Sequence, residues 1–184
     1  MKEAFPVKGT LRTHAPLLVV GLLLTGCTTA SQMAMLPACP QVSILSDAAT
    51  VTKYRAGPGR DPTDVMLSAE IGAFKGDCAY DENGAVQMNL TLAIDAQRGP
   101  AQTGAPVDLA YFVAVPAFYP KPEAKQVFTI PISFPDNANR VRTVDETLSI
   151  TIPLDDRKQG PNTQVYLGFQ LDPAELEHNR TRGR

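Results

Sequence analysis

Histidine is scarce in this chain of 184 residues: there are two, and only His178 lies beyond the first 26 residues. A serine or cysteine nucleophile needs a nearby base, which is usually a histidine. His178 follows the last segment with a strand-like pattern, and the sequence contains no G-x-S-x-G motif. We therefore expect no hydrolysis by a serine or cysteine nucleophile.

An apolar run long enough to cross a bilayer as a helix, which takes about 20 residues, is also missing. The apolar segment at residues 15–24 has about half that length. It follows a head with Lys2, Lys8 and Arg12 and leads into the small residues Thr25 and Gly26. A basic head, a short apolar core and a small-residue exit form the layout of a secretory signal peptide.

A cysteine follows this layout in the order Leu24-Thr25-Gly26-Cys27. The order resembles the lipobox of bacterial lipoprotein precursors, in which a leucine, a variable residue, a small residue and an invariant cysteine follow one another. The resemblance implies cleavage before Cys27, with a diacylglycerol on its sulfur and an acyl chain on its amine. Several acyl chains anchor a protein stably, whereas one does so only marginally. The alternative is an ordinary buried cysteine.

The residue after Cys27 bears on location. In that family an aspartate there often signals retention in the inner membrane, and this chain has Thr28. The resemblance therefore implies a lipid-anchored protein on the periplasmic face of the outer membrane. The head has no Arg-Arg pair, which favours export through the general pathway over twin-arginine export.

Basic side chains are not in excess. Lys2, Lys8, Arg12 and Glu3 leave with residues 1–26, so the mature chain keeps 14 Lys and Arg against 18 Asp and Glu, a net charge of about −4. Phosphate contacts need concentrated Lys and Arg, so we expect no nucleic-acid partner. The 158 mature residues suit one domain.

Two cysteines remain once Cys27 is assigned to the anchor, Cys39 and Cys78. Exported proteins fold in an oxidising compartment, and two cysteines allow one intramolecular pair. The alternatives are free thiols or a metal site. Zinc takes about four ligands, and His178 is the one mature histidine. We predict a Cys39–Cys78 disulfide and no metal.

Apolar residues alternate with polar ones along most of the mature chain, which is typical of half-buried β-strands. With a short strand near residues 42–45, the pattern predicts about seven strands. The alternating residues are Val65, Leu67, Ala69, Ile71 and Ala73; Val86, Met88, Leu90, Leu92 and Ile94; Leu109, Tyr111, Val113 and Val115; Phe128, Ile130, Ile132 and Phe134; Leu148, Ile150 and Ile152; Val165, Leu167, Phe169 and Leu171.

Turn-forming clusters separate these segments, among them a hairpin turn at residues 81–84 with Gly84 placed for positive φ. No long helical period interrupts them. The pattern predicts an all-β fold: one antiparallel β-sandwich of immunoglobulin-like or fibronectin-like type, with a small β-barrel as the alternative. Pro116, Pro131 and Pro153 should lie at edges, strand ends or bulges.

The predicted organisation has four parts: a signal peptide at 1–26, a flexible tether at 27–40, the sandwich at 41–172, and a short helix with a polar tail at 173–184. The helix is predicted from Asp172 as N-cap, Pro173 as first helical residue and Glu175 as the carboxylate of a capping box. We expect it to span a turn or two before the tail frays.

Three other chemistries have weak support. The carboxylate pairs Asp145-Glu146 and Asp155-Asp156 fall at predicted strand entries or turns, where solvated charge is ordinary. Asp77, Asp81 and Asn83 match a calcium loop only in part, so a plain turn is favoured. No glycine-rich loop opens a helix after a strand, so no nucleotide or other cofactor is predicted.

Two loops are richer in proline, glycine and anchor residues than a simple connection requires. Residues 54–64 contain Arg60, and residues 115–125 contain Phe118 and Tyr119 among three prolines, with both aromatic rings expected to be exposed. Stiff loops with arginine or aromatic residues are typical of protein-binding surfaces. The alternative is that both loops are inert, with Arg60 paired to Asp61 or Asp64 and the aromatic rings folded onto the sandwich.

These observations predict a lipid-anchored periplasmic envelope protein that is not an enzyme and supports interaction or assembly through an envelope protein partner. A lipoprotein that binds a small ligand, such as a metal or glycan, is the main alternative, and a hydrolytic enzyme is the least supported. The body of the chain resembles uncharacterised envelope lipoproteins with a β-sandwich domain, a resemblance that implies no activity.

Overall fold

The computed structural model describes residues 37–182, apart from the side chains of Glu146, Thr147 and Arg182. Within this range the chain forms eight strands and one α-helix. They are β1 Gln41–Ile44, β2 Thr50–Tyr54, β3 Val65–Tyr80, β4 Val86–Arg98, β5 Val107–Ala114, β6 Lys125–Ile132, β7 Arg140–Ile152, β8 Gln164–Phe169 and α1 Pro173–Arg182. Cys27 and most of the predicted tether lie outside the described residues.

The strands form two four-stranded sheets, with the orders β1-β8-β5-β6 and β2-β3-β4-β7. Every hydrogen-bonded pair is antiparallel except β1 with β8, which is parallel. The predicted all-β sandwich is therefore confirmed, and the barrel alternative is not the observed fold.

The inner faces of the two sheets make one hydrophobic core. In β4 every second residue from Val86 to Ala96 is buried, while the residues between them are exposed or half-buried. Residues of β3, β5, β7 and β8 with the same spacing pack against them. The alternation seen in the sequence thus corresponds to the inner and outer faces of the sheets.

Two β-bulges change which residues face the core. Gly72 is an extra residue in β3, because Ile71 pairs with Ile94 and Ala73 with the adjacent Ala93. A bulge shifts the later residues to the opposite face. The prediction that Ala73 faces the core is therefore wrong: Ala73 is exposed, and Phe74 turns inward instead.

The second bulge lies in β7, where Leu148 pairs with Leu90 and Asp145 pairs with Leu92. It reverses the alternation, and for this reason the sequence pattern showed only the part of β7 from Leu148 onward. The prediction that Asp145 lies at a strand entry or turn is also wrong, since Asp145 lies inside β7 and is half-buried.

The eighth strand, β2, is missing from the predicted set because it buries one residue, Val51. Helix α1 covers the free edge of β2. The side-chain amide of Asn179 donates to the carbonyl oxygens of Asp47 and Thr50 at 2.9 and 2.8 Å.

The predicted cap of α1 is confirmed, because the Asp172 carboxylate accepts from Glu175 N at 2.8 Å and the Glu175 carboxylate accepts from Asp172 N at 2.9 Å. The helix is longer than the predicted turn or two, with 10 residues.

The two ends of the sandwich differ in what they carry. We call the end with Gln41, the β3–β4 turn and residues 157–162 the tether end, and the end with residues 55–64, 99–106 and 133–139 the far end. The β3–β4 turn has the predicted positive φ at Gly84, +98°. Since β4 has 13 residues, the two ends are roughly 40 Å apart.

The prolines fall where they do not interrupt a central strand. Pro131 lies in β6, at the edge of its sheet, Pro116 begins a 3-10 helix after β5, and Pro153 directly follows β7. These positions confirm the prediction for all three.

The predicted disulfide is present and joins Cys39 to Cys78 of β3, across a sequence separation of 39 residues. The Tyr80 hydroxyl donates to the Ala38 carbonyl oxygen at 2.7 Å, and Gln41 N donates to Thr163 O at 2.9 Å. Closing a loop of this length contributes roughly 4 kcal/mol in the chain-entropy account. The start of the domain is thereby fixed at the tether end.

One polar contact crosses the core between the sheets. The hydroxyl of Tyr111 on β5, a fully buried side chain, donates to the Asp145 carboxylate on β7 at 2.6 Å. The Tyr111 ring also stacks on Phe128, with ring centroids 5.5 Å apart. Burial is the main reason that the pKa of Tyr111 is raised above its usual value, and the hydrogen bond to Asp145 raises it further.

We predict that this tyrosine gives the domain a steep alkaline stability limit. Because the pKa of Tyr111 is higher in the folded state than in the unfolded state, its contribution is complete below about pH 10 and is lost as the pH rises above that value. Urea unfolding between pH 8 and 12 should show a falling free energy of unfolding.

The Tyr111→Phe variant should have a lower stability at neutral pH, since Asp145 loses a donor, and a shallower fall above about pH 10. Tyr119→Phe, which removes the hydroxyl of an exposed tyrosine, is the matched control and should keep the wild-type slope. An equally steep fall in the Tyr111→Phe variant would contradict this role.

Candidate functional site

The loop between β2 and β3, at the far end, is built around a buried carboxylate. Asp64 is 2% exposed, and its Oδ1 lies 2.5 Å from a guanidinium nitrogen of Arg55. The Asp61 carboxylate accepts from Thr63 N at 2.8 Å, and the Asp64 carboxylate accepts from Asp61 N at 3.4 Å. The Thr63 hydrogen bonds are the main reason that the pKa of Asp61 lies below its usual value. The loop is therefore held in one conformation.

Arg60 is exposed on this ordered loop. Its guanidinium donates to the carbonyl oxygens of Gly57 and Gly59, at 2.9 and 2.7 Å, and lies 5.3 Å from the centroid of the Tyr54 ring. The alternative pairing of Arg60 with Asp64 is wrong, because Asp64 pairs with Arg55. The Arg60 side chain is instead fixed by carbonyl groups and an aromatic face, which leaves a cation in a defined position on the surface.

A pocket of about 350 Å³ lies beside Arg60, between β2 and α1. Lys53 and Glu175 form an ion pair at 2.7 Å on its wall. His178 also lines it, and the buried Nε2 atom of His178 has no hydrogen-bond partner among the described residues. The pocket therefore combines fixed charges of both signs with an imidazole whose buried Nε2 atom is left without a partner among the described residues.

The outer face of the β2-β3-β4-β7 sheet forms a polar groove of about 940 Å³ that shares Thr52 and Asn179 with this pocket. Two rows of side chains cross the four strands in register. One row consists of Thr50, Glu70, Asp95 and Arg142, and the other of Thr52, Ser68, Gln97 and Arg140. Such a surface offers hydrogen-bond donors and acceptors side by side.

The strongest contact within the polar groove is a bidentate ion pair. Arg142 donates through Nε and a terminal nitrogen to the two Asp95 oxygens, each at 2.7 Å. The hydrogen bond from Arg142 is the main cause that lowers the pKa of Asp95, and the pair raises the pKa of Arg142. A side chain at Gly72 would collide with the Asp95 carboxylate, so the bulge glycine makes room for the pair.

The second predicted loop lies at the tether end, between β5 and β6. Phe118 is half-buried and packs against the core, which corrects the prediction that it is exposed. Tyr119 is 83% exposed. Arg60 and Tyr119 are thus at opposite ends of the sandwich, and the structure does not bring the predicted binding residues together in one surface.

The other candidates from the sequence are accounted for separately. Asp77 accepts from the Asn89 amide at 3.1 Å, and Asp81 accepts from Asn83 N and Ala85 N, as in a plain turn. Between residues 37 and 182, no three His, Cys, Asp or Glu side chains are grouped to hold a metal ion. No helix in the same range is long and apolar enough to cross a bilayer.

Comparison of the chain with models of protein families, with curated proteins and with solved structures finds no match. The function must therefore be argued from the residues alone. The sequence did not predict that Lys53 and His178 line one pocket or that Asp95 pairs with Arg142, since these contacts depend on strand order. The one available signal was the run of polar residues on the outward positions of β3 and β4.

We predict that the stability of the loop at residues 55–64 depends more on the Asp64 carboxylate itself than on the Arg55–Asp64 ion pair. Asp64→Ala removes the acceptor for the Asp61 amide and the partner of Arg55, and should destabilise the domain by about 1–3 kcal/mol. Arg55 is 64% exposed, so Arg55→Ala should cost about 1 kcal/mol or less. Urea unfolding of both variants measures the difference. Equal losses would show that the loop is not organised around Asp64.

Proposed function

We propose that this protein is a lipid-anchored protein of the bacterial cell envelope, attached through Cys27 to the periplasmic face of the outer membrane. The signal-peptide layout and the order Leu24-Thr25-Gly26-Cys27 support this proposal. The Cys39–Cys78 disulfide supports it independently, because such bonds persist in exported proteins and are rare in reducing compartments.

The sandwich acts, in this proposal, as a non-catalytic docking module for another envelope protein. The observation that carries it is the placing of Arg60 on an ordered far-end loop, away from the tether. A guanidinium already fixed by Gly57, Gly59 and Tyr54 loses little side-chain entropy when a partner binds it. Arginine and tyrosine are also the residues in which binding energy concentrates.

Ligand binding is the second candidate, and the polar groove is the observation that favours it. The two rows of Thr, Ser, Gln, Asp, Glu and Arg side chains match the hydroxyl groups of a glycan better than a metal ion. Calorimetry of the purified protein with soluble cell-wall glycans separates this candidate from docking of a protein, which predicts no heat with such glycans.

The anchor is tested with Cys27→Ala. We expect the wild-type chain to fractionate with membranes and to label metabolically with a fatty acid, whereas the variant does neither because it lacks the acceptor sulfur. Cys39→Ala with Cys78→Ala is the control for cysteine loss in general and should retain the label. Equal membrane recovery of the Cys27→Ala variant would rule out the proposed anchor.

Docking is tested by crosslinking in living cells, followed by identification of the captured proteins. Arg60→Ala should weaken capture of the partner by roughly thirtyfold, as expected for the loss of a central anchor worth about 2 kcal/mol. Lys158→Ala removes an exposed cation at the tether end and should leave capture unchanged. If both variants capture the same proteins as the wild type, the far-end surface is not the docking site.

A further inference from the structure

Tyr119 has the most exposed ring among the large apolar and aromatic side chains of residues 37–182. Its backbone N donates to Pro116 O at 3.0 Å, but within that range its hydroxyl makes no hydrogen bond and its ring makes no ring contact. An aromatic side chain that is 83% exposed leaves a large apolar surface in water. The Tyr119 side chain is therefore available for an external contact.

The loop that carries Tyr119 is rigid. Val115 N donates to Ala124 O at 2.8 Å and closes its base, while Lys121 N donates to Phe118 O at 2.8 Å. Phe118 packs into the core and fixes the loop from below. Tyr119 is therefore held outward in a defined place, and little backbone entropy is lost when it makes a contact.

This loop lies at the same end of the molecule as the tether. Ala114, the last residue of β5, pairs with Tyr166, while Gln41, the first residue of β1, pairs with Gln164. The strand order β1-β8-β5 separates β1 and β5 by two strand spacings, about 10 Å. The loop and the incoming chain thus lie at the same end of the sheet.

The length of chain before the domain limits how far this end can lie from the anchor. Residue 37 comes ten residues after Cys27. A fully extended chain spans at most about 3.5 Å per residue, so the tether end lies within roughly 35 Å of the lipid attached to Cys27. The disulfide and the Tyr80–Ala38 hydrogen bond prevent the attachment point from moving along the domain.

We propose that Tyr119 inserts into the headgroup region of the membrane that holds Cys27, and so turns the tether end toward the lipid surface. This proposal rests on the proposed lipid attachment. Tyrosine suits this region because its ring is apolar and its hydroxyl reaches water. Pro120 and Lys121 are also exposed, and a lysine there can reach the phosphates with its ammonium group.

Charge contributes little to this contact. The tether end carries five acidic and four basic side chains, so neither sign strongly predominates: Asp81, Glu82, Glu123, Asp155 and Asp156 against Lys121, Lys125, Arg157 and Lys158. Attraction to anionic lipid would weaken with salt, whereas burial of a ring does not. The contact should therefore persist at high ionic strength.

The experiment uses the absence of tryptophan from the chain. Tyr119→Trp places a single fluorescent reporter on the tether-end loop, and Thr103→Trp places one on an exposed far-end loop as the matched control. Each full-length variant is purified with its lipid and reconstituted into vesicles of phosphatidylethanolamine and phosphatidylglycerol. A fraction of the acyl chains carries bromine, which quenches nearby indoles. Ala117→Trp, on the same loop as Tyr119, repeats the measurement.

We expect Tyr119→Trp emission to shift to shorter wavelength and to lose intensity with brominated lipid, at low and at high salt, while Thr103→Trp emission does neither. Flotation of the vesicles reports anchoring separately. Unquenched emission from Tyr119→Trp and Ala117→Trp in protein that floats would overturn the membrane contact, leave the anchor intact, and favour a protein as the occupant. Failure of wild-type protein to float would overturn both proposals.

Discussion

The fold depends on the burial of the inner faces of two sheets against each other. Neither sheet can bury its apolar side alone, so the residues of β4 from Val86 to Ala96 need the facing strands β5 and β8 as partners. Since this core takes up the alternating apolar residues, the surfaces left for function are the outer faces and the loops at the two ends. These surfaces hold the groove, the pocket and both candidate loops.

The two ends of the sandwich have become different through a few fixed contacts. At the tether end, the Cys39–Cys78 bond and the hydrogen bond of Tyr80 to Ala38 hold the incoming chain. At the far end, Asp64 orders the loop that carries Arg60, and the Arg98 guanidinium donates to the carbonyl oxygens of Phe134 and Pro135. A lipid anchor on one end would leave the other end accessible to partners, which gives the asymmetry a functional meaning.

The sequence predicted those features that depend on local chemistry. The helix cap at Asp172 and Glu175 could be recognised because both partners lie within one turn, and the disulfide because two cysteines have one way to pair. The bulges at Gly72 and in β7 could not, since one extra residue reverses the alternation without changing composition. Strand order could not be predicted either, because it depends on contacts between residues that are distant in the sequence. For the same reason, the sequence did not show that Arg60 and Tyr119 lie at opposite ends, or that Phe118 rather than Tyr119 faces the core.

If the chain is attached to lipid through Cys27, the tether keeps the exposed Tyr119 close to the membrane surface. A single tyrosine contact is far too weak to hold a free protein on a membrane, but an anchored domain meets the surface at a local concentration set by its tether, in the millimolar range for short flexible linkers. Under that condition even a weak contact is occupied much of the time. Its effect would be on orientation rather than on affinity, because it would turn one end of a domain roughly 40 Å long toward the lipid and the Arg60 loop away from it. The anchor would thereby determine which surface of the sandwich is available for docking.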